Sequence, residues 1–262
     1  MNRIPLWRWT TGTFLILCIW VFLAPFVGVF ADVAIGTNGP WRSLASELLP
    51  FVPLVLATPL VWTRFIGRPF AQLINVTGVM NRNRVVTGFV AWFALSAAGT
   101  GADVIMNSAD YRYTFSFHTF VPFLLVALLL LPLQTSAEEL LFRGWILRWA
   151  QNLPTPVAAS ISGIVFALPH MANPEAVGQT ALALSAWFLL GATWAYVAAR
   201  DGGIELALGA HFANNAFSLL IVGYDDAALP TAAIWTTSGL NMVGTVISLI
   251  VITPIFIRLT RR

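Results

Sequence analysis

Residues 121–143 read VPFLLVALLLLPLQTSAEELLFR, and this stretch sets the class of the whole chain. A long apolar run leads into two adjacent carboxylates, Glu138 and Glu139, and Arg143 follows the second of them by four residues. Charged side chains at membrane depth are rare and usually mark a functional site. The stretch therefore predicts a membrane helix that carries a buried ionic site.

The composition agrees with a membrane protein. The 262 residues are 58% hydrophobic and 10% charged, whereas a soluble domain is about one quarter charged. No stretch is long and polar enough for a separate soluble domain, so we expect an all-α, polytopic protein with one integral membrane domain over residues 1–262. The 14 basic residues are all arginines and are scattered along the chain, and the net charge of +3 does not indicate a nucleic-acid partner.

Apolar windows of about 20 residues identify membrane-spanning helices. They predict eight, near residues 11–30, 48–65, 85–106, 119–150, 155–172, 178–199, 204–222 and 238–258. The fourth would be roughly 48 Å long, which exceeds the ~30 Å hydrocarbon core. It must therefore tilt, bend or protrude, and Pro132 is the expected position of a kink.

The arginines also predict the orientation, because cytoplasmic loops are enriched in basic residues. If the N-terminus is cytoplasmic, only Arg42 and Arg112 fall on the other side, and eleven arginines fall on the cytoplasmic side. We therefore expect a multi-pass protein of the plasma (inner) membrane with both termini in the cytoplasm. A cleaved signal peptide is the alternative for the first segment, but its apolar run, Thr13–Phe30, is longer than a usual signal core.

The two glutamates are expected to differ. Glu139 and Arg143 are four residues apart, in the favourable acid-before-base order on one helix face. Glu138 lies about 100° around the helix from Glu139, so it can face a cavity while Glu139 pairs with Arg143. A pair of this kind can be purely structural, and for Glu139 and Arg143 we favour a supporting role over direct chemistry.

Four further polar side chains lie deep in the predicted helices: His170, His211, Asn214 and Asn215. His211 and Asn215 share a helix face because they are four residues apart, and Asn214, at a spacing of three, competes with Asn215. Taken singly, a membrane histidine or asparagine is more often a link between helices than a catalyst. Their positions along the predicted helices nevertheless allow them to converge with Glu138 in the inner half or the middle of the bilayer, so the fourth, fifth and seventh helices can bring them to one site.

Together these residues resemble a known motif set. Glu138-Glu139-x-x-x-Arg143, Phe166-x-x-x-His170 and His211-x-x-x-Asn215 occur in the order found in the CAAX-protease and bacteriocin-processing family, which includes the type II prenyl-protein endopeptidases. The resemblance covers residues 119–222, the motif-bearing core. It implies an intramembrane endopeptidase whose partners are membrane lipid and a peptide or protein substrate, which it would engage near the substrate's C-terminal region.

The resemblance also implies a role for each residue. Glu138 would act as the general base that activates water, and His170 would hold and polarise that water. His211 and Asn215 would stabilise the oxyanion, and Glu139 and Arg143 would support the geometry. Members of the family are often described as metalloproteases, so Glu138, His170 and His211 are the candidate ligands of a divalent metal such as zinc. We favour metal-independent chemistry, because a glutamate that acts as the base is not free to be a tight ligand.

Two other functions are compatible with the same residues. One is a non-proteolytic immunity or regulatory protein of the same fold, which would not require every motif to be intact. The other is an ion- or proton-coupled transporter with Glu138 and Glu139 as carrier carboxylates. The chain has no internal sequence repeat, and such a repeat is common in transporters.

Overall fold

The computed structural model describes residues 4–261, and eight long helices make up most of this part of the chain. We number them α1 to α8 in chain order. Their bounds are Leu6–Ile35 (α1), Pro40–Ile66 (α2), Arg82–Asp110 (α3), Phe117–Trp149 (α4), Thr155–Ala172 (α5), Thr180–Asp201 (α6), Glu205–Leu220 (α7) and Met242–Leu259 (α8). The predicted all-α polytopic class is confirmed.

Seven of these helices are long and apolar enough to cross a membrane. The exception is α7, which has 16 residues and would extend only about 24 Å at 1.5 Å per residue. Most of its side chains are buried, which fits a short helix enclosed by its neighbours. The helix predicted near residues 204–222 is therefore present, but it is shorter than the other seven and is not among the seven that are long enough to span.

Several helices change geometry along their length. In α2, the α-helical parts Pro40–Leu48 and Val52–Val61 are joined by a 3-10 turn, Leu49–Phe51, and followed by a π-helical end, Trp62–Ile66. In α3, the α-helix Arg82–Asn107 ends in the 3-10 turn Ser108–Asp110. A single helical turn, Ala71–Ile74, lies between α2 and α3.

The long fourth helix departs from α geometry next to the two glutamates. It is α-helical over Phe117–Glu139, π-helical over Leu140–Ile146 and α-helical again over Leu147–Trp149. Pro132 lies inside the first part, and the wider turn begins directly after Glu139. π-Helical turns inside α-helices occur frequently at functional sites.

The α-helical part of α5 ends just before Pro169, where a proline is expected to interrupt it. Its α-helical part is Thr155–Ala167, and a 3-10 turn, Pro169–Ala172, follows and contains His170. Proline has no backbone N–H, so it cannot continue the α-helical hydrogen-bond pattern. The imidazole of His170 therefore projects from a tighter turn at the end of the helix.

Close helix contacts hold the polar residues in position. Helix α3 packs against α7, and α5 packs against α6. Gly88 of α3 faces the backbone of Leu206, and Gly209 of α7 faces the backbone of Val85, so a Cβ at either glycine would collide with a carbonyl oxygen. Small residues at such crossings let membrane helices approach closely.

The first helix packs against the helix that carries the glutamates. The Nε1–H of Trp145 donates to the hydroxyl of Thr13 at 2.8 Å. A Cβ at Gly12 would lie 2.5 Å from the Trp145 ring. Trp9 contacts the same ring edge-on, with centroids 5.0 Å apart. The indole of Trp145 therefore fills a notch on α1.

The loops on one side contribute a small sheet that the sequence analysis does not predict. Its strands are Arg112–Tyr113 (β1), Val222–Tyr224 (β2) and Trp235–Thr237 (β3), in the order β1-β3-β2. Strand β3 is antiparallel to β1, with Arg112 opposite Thr236, and parallel to β2, with Gly223 opposite Thr236. Strands of two or three residues are too short for the sequence pattern to reveal them.

Candidate active site

Glu139 is a buried carboxylate with two hydrogen-bond partners. Its Oε1 accepts a hydrogen bond from Arg143 Nη1 at 2.7 Å, one turn further along α4. The same oxygen accepts from His211 Nδ1 of α7 at 2.8 Å. The side chains of Glu139 and Arg143 are 0% exposed. The predicted pairing of Glu139 with Arg143 is therefore present, and Glu139 additionally holds His211.

Aromatic rings and a carbonyl complete the surroundings of this group. Arg143 Nη2 donates to the backbone oxygen of Gly191 at 3.1 Å, and its guanidinium lies over the Phe166 ring at 4.5 Å. The His211 ring stacks on Trp194, with centroids 4.6 Å apart. Helices α4, α5, α6 and α7 all contribute, so the group is fixed from four sides.

Glu138 has a different environment from its neighbour. Its Oε1 accepts a short hydrogen bond from the Gln134 side chain, one turn earlier in α4. Its Oε2 is buried, has no hydrogen-bond partner and lies 3.6 Å from His211 Nε2. The His211 ring is therefore placed between the two carboxylates, with Nδ1 on Glu139 and Nε2 towards Glu138.

Gln134 also connects Glu138 to α7. Asn215 Nδ2 donates to Gln134 Oε1 at 3.0 Å. Asn214, the competing candidate, accepts from Trp92 Nε1 at 3.3 Å and donates to Asn215 Oδ1 at 3.2 Å. Asn215 is thus the asparagine that joins the group around Glu138, and Asn214 links that group to α3.

His170 is placed beside the same group by Phe166. Its Nδ1 lies 2.8 Å from the backbone oxygen of Phe166, which can only accept, so Nδ1 carries the proton. In the neutral ring, Nε2 is then an acceptor. The Phe166 ring lies 4.7 Å from the His170 ring and 5.8 Å from the His211 ring, centroid to centroid. The two imidazoles therefore flank one aromatic side chain.

The structure thus brings the predicted site residues to one region between α4, α5 and α7: Glu138, Glu139, Arg143, His170, His211 and Asn215. The sequence analysis does not identify Gln134, although its spacing of four residues from Glu138 matches the spacing of Glu139 from Arg143 and was the available signal. His118, the third histidine, is exposed at the start of α4 and lies outside the site.

A further carboxylate, Glu175, is buried in the turn that follows His170. Tyr224 of β2 donates its hydroxyl to Glu175 Oε1 at 3.4 Å, and Glu175 Oε2 has no hydrogen-bond partner. Burial, together with the negative charges of Glu175 and Asp226, raises the pKa of Tyr224 above its usual range. Tyr224 therefore stays protonated and remains a donor at physiological pH.

A metal ion does not fit the arrangement of these side chains. Within residues 4–261, no group of three or more His, Cys, Asp or Glu side chains is arranged to hold a metal ion. The candidate ligands Glu138, His170 and His211 therefore do not form such a group. The Nδ1 atoms of His211 and His170 are engaged by Glu139 and by the Phe166 carbonyl, respectively, so each ring could reach a metal only through Nε2.

The fold and the site together define a class: a polytopic, all-α membrane protein with a buried Glu-His-Asn-Arg group between α4, α5 and α7. Comparison with known families specifies it further. Residues 117–217 match the model of the Rce1-like family, described as type II CAAX prenyl endopeptidase Rce1-like. This region, from α4 into α7, belongs to that family, so the resemblance drawn from the motifs is confirmed.

One curated relative is similar to this chain over a longer stretch. The uncharacterized protein YyaK of Bacillus subtilis (strain 168) is 37% identical over 185 residues, which are 68% of this chain and 62% of YyaK. The match thus spans less than two thirds of that relative's length. No solved structure matches the chain.

Proposed function

We propose that this protein is an intramembrane endopeptidase that hydrolyses a peptide bond with a water molecule activated by Glu138. The observation that carries the proposal is the environment of Glu138. One carboxylate oxygen is held by Gln134, and the other is buried, has no partner and faces His211 Nε2. A carboxylate with one fixed oxygen and one available oxygen is suited to take a proton from water.

In the first step, water attacks the carbonyl carbon of the substrate and gives a proton to Glu138 Oε2. His170 helps to hold this water, since its Nε2 is free to accept a hydrogen bond while Nδ1 donates to the Phe166 carbonyl. The carbonyl π bond opens and leaves a negatively charged oxygen on a tetrahedral carbon. In the second step, the C–N bond breaks and the proton on Glu138 passes to the leaving amine.

The oxyanion is stabilised by donors from α7. Asn215 uses one Nδ2 hydrogen on Gln134, so the other can reach the substrate. His211 donates from Nε2 when its ring carries both protons, with Nδ1 held by the carboxylate of Glu139. Donors fixed before the reaction are effective in a site shielded from water, and the loss of one costs about 100- to 1,000-fold in rate in a model protease.

Glu139 and Arg143 act as positioning residues in this proposal. Glu139 fixes the orientation of His211, and Arg143 fixes Glu139 through the pair and the bond to the Gly191 carbonyl. Neither needs to touch the substrate. The substrate is a peptide segment that reaches the site from the membrane, and we propose that cleavage falls near its C-terminal region.

The proposal is tested by comparing peptide ends in membranes that contain the wild type or Glu138→Ala at equal protein levels. We expect peptides whose new termini appear only with the wild type. Identical termini in the two samples would contradict proteolysis. An immunity or regulatory protein would keep its cellular phenotype in both Glu138→Ala and His211→Ala, and a transporter would move ions in vesicles and tolerate the loss of Asn215.

We also propose that hydrolysis does not require a bound metal, which follows from Glu138 acting as the base. Dialysis of the purified protein against EDTA or 1,10-phenanthroline is expected to leave hydrolysis of an identified peptide within about twofold of the untreated rate. Metal analysis of the active fraction provides the control. Loss of activity on chelation, restored by a stoichiometric divalent ion, would contradict this part of the proposal.

A further inference from the structure

The small sheet presents its apolar face to the outside of the protein. Tyr113 of β1 lies opposite Trp235 of β3, and Val222 of β2 is the partner of Trp235 on its other side. Side chains of directly opposite residues lie on the same face of a sheet, so these three share one face. Tyr113 is 63% exposed and Trp235 is 42% exposed. Their rings meet edge-on, with centroids 5.2 Å apart.

The polar face of the same sheet is turned towards the protein. Thr236, the residue after Trp235, is buried, and its hydroxyl lies 2.8 Å from the hydroxyl of Thr114. Thr114 also donates to the backbone oxygen of Ala233 at 3.1 Å. A sheet with one face in water normally packs its apolar side chains on the core and presents the polar ones to water. This sheet has the reverse arrangement, so its outward face does not suit bulk water.

The apolar face continues into the exposed side of α4. The ring of Phe115 lies 6.4 Å from that of Tyr113, centroid to centroid, and Phe117 is exposed and is the first residue of α4. Leu125 and Leu128 are also exposed, and they lie within about 80° of Phe117 around the helix at 3.6 residues per turn. The exposed aromatic side chains at this end form one group, which we call the aromatic patch: Tyr113, Phe115, Phe117 and Trp235.

The charge beside the patch is already balanced. Arg112 of β1 forms an exposed ion pair with Asp225 at 2.6 Å. The patch itself carries no charged side chain, so nothing in it selects a charged protein surface. Its exposed area is roughly 400–500 Å², since an aromatic side chain presents about 150–250 Å² when fully exposed. A stable protein–protein interface needs about 800 Å² from each partner, so the patch is too small for one.

We propose that the aromatic patch is a membrane-surface anchor, whose rings lie among the lipid headgroups on the side of the membrane where α4 begins. Tryptophan and tyrosine are enriched at this level because an apolar ring and a polar tip suit it. The sheet also contains Tyr224, whose hydroxyl donates to Glu175 in the turn after His170. The anchor therefore connects the lipid surface to the turn beside the candidate active site. The proposal does not depend on hydrolysis.

The experiment places a fluorescent reporter on each face of β1 in the full-length protein. In a Cys18→Ser background, Tyr113→Cys and Arg112→Cys are each labelled with the dye NBD and reconstituted in phosphatidylcholine nanodiscs. Strand alternation puts these neighbours on opposite faces, and both native side chains are exposed, so Arg112→Cys is the matched control. We expect lipid with a nitroxide near its headgroup to quench the reporter at position 113 at least about threefold more than the control, because position 113 lies at headgroup level. Iodide in the water should show the reverse order.

Trp235→Cys is the second reporter of the patch, so a failure of Tyr113→Cys to fold does not end the test. It should respond to both quenchers in the same way as Tyr113→Cys. The proposal is overturned if iodide quenches the patch reporters as strongly as the control, because the face would then lie in water. It is also overturned if the patch reporters are shielded from both quenchers, which would indicate a protein partner or a second copy of the chain.

Discussion

At the scale of single residues, Glu138 and Glu139 have different partners although they are adjacent. Each glutamate has an Oε2 without a hydrogen-bond partner, but Glu139 is held through Oε1 by Arg143 and His211, whereas Glu138 Oε2 faces His211 Nε2. We expect Glu138→Gln to fold normally and to lose at least about 100-fold in hydrolysis, because an amide can keep the contact with Gln134 but cannot act as a base.

Glu139→Gln, unlike Glu138→Gln, should destabilise the fold. Removing one partner of a buried ion pair leaves an uncompensated charge on Arg143 and costs about 3–5 kcal/mol. We therefore expect a clearly lower thermal unfolding midpoint for Glu139→Gln than for Glu138→Gln, measured in the same detergent. Equal midpoints for the two variants would show that the Arg143 pair is not the stabilising interaction.

Gln134 and Asn215 offer a second test at this scale. Asn215→Ala should reduce kcat about 100-fold or more, because it removes an oxyanion donor. Gln134→Leu should also reduce kcat, through loss of the contact that orients Glu138. Asn214→Ala is the control, since Asn214 contacts Trp92 and Asn215 but not the Gln134–Glu138 pair. An activity loss as large in Asn214→Ala would count against the assignment of Asn215.

At the scale of elements, the contact between α3 and α7 sets the position of His211. Gly88 and Gly209 let the two backbones touch, and Gly209 precedes His211 by only two residues. Gly88→Ala and Gly209→Ala should each lower stability by about 1–3 kcal/mol through overpacking. Gly101→Ala on the same helix as Gly88 should not, because a Cβ there meets nothing within 4 Å. Thermal unfolding of the three variants is the measurement.

The elements also show what the sequence could predict. Spacing of four residues predicted the Glu139–Arg143 pair, and Pro169 predicted the end of the α-helical part of α5, because both effects act within one turn of helix. The π-helical turn after Glu139 was not predicted, since it packs against α2, α5, α6 and the turn Ala71–Ile74, which are distant in sequence. The His211–Glu139 bond and the Phe166 contacts to both histidines required the tertiary arrangement as well.

At the scale of the whole molecule, the arginine distribution predicts that both termini are cytoplasmic. Cys18 is the only cysteine, so Cys18→Ser gives a background for single-cysteine labelling. In intact cells, a membrane-impermeant maleimide should label Asp226→Cys, in the loop after β2. It should label Gln151→Cys, between α4 and α5, only after permeabilisation. Labelling of Gln151→Cys in intact cells would reverse the predicted orientation.

Seven of the eight predicted membrane-spanning helices are long and apolar enough to cross a membrane, because such segments need long apolar runs, which the sequence displays directly. The small sheet could not be predicted, since its strands are very short and β1 is far in sequence from β2 and β3. One domain over residues 1–262 stays a prediction. The match to the Rce1-like family covers residues 117–217, and helices α1 to α3 and α8 lie outside it.

The notch on α1, formed at Gly12 and Thr13, is filled by a side chain that is synthesised much later, Trp145. Thr13 and Gly12 leave the ribosome long before Trp145, so α1 enters the membrane without the indole that later fills its notch. During that interval the Thr13 hydroxyl can bond to the backbone oxygen of Trp9, as it does in the finished protein at 2.9 Å. The contact between Trp145 and α1 can therefore form only after α4, the helix that carries the two glutamates, has been made.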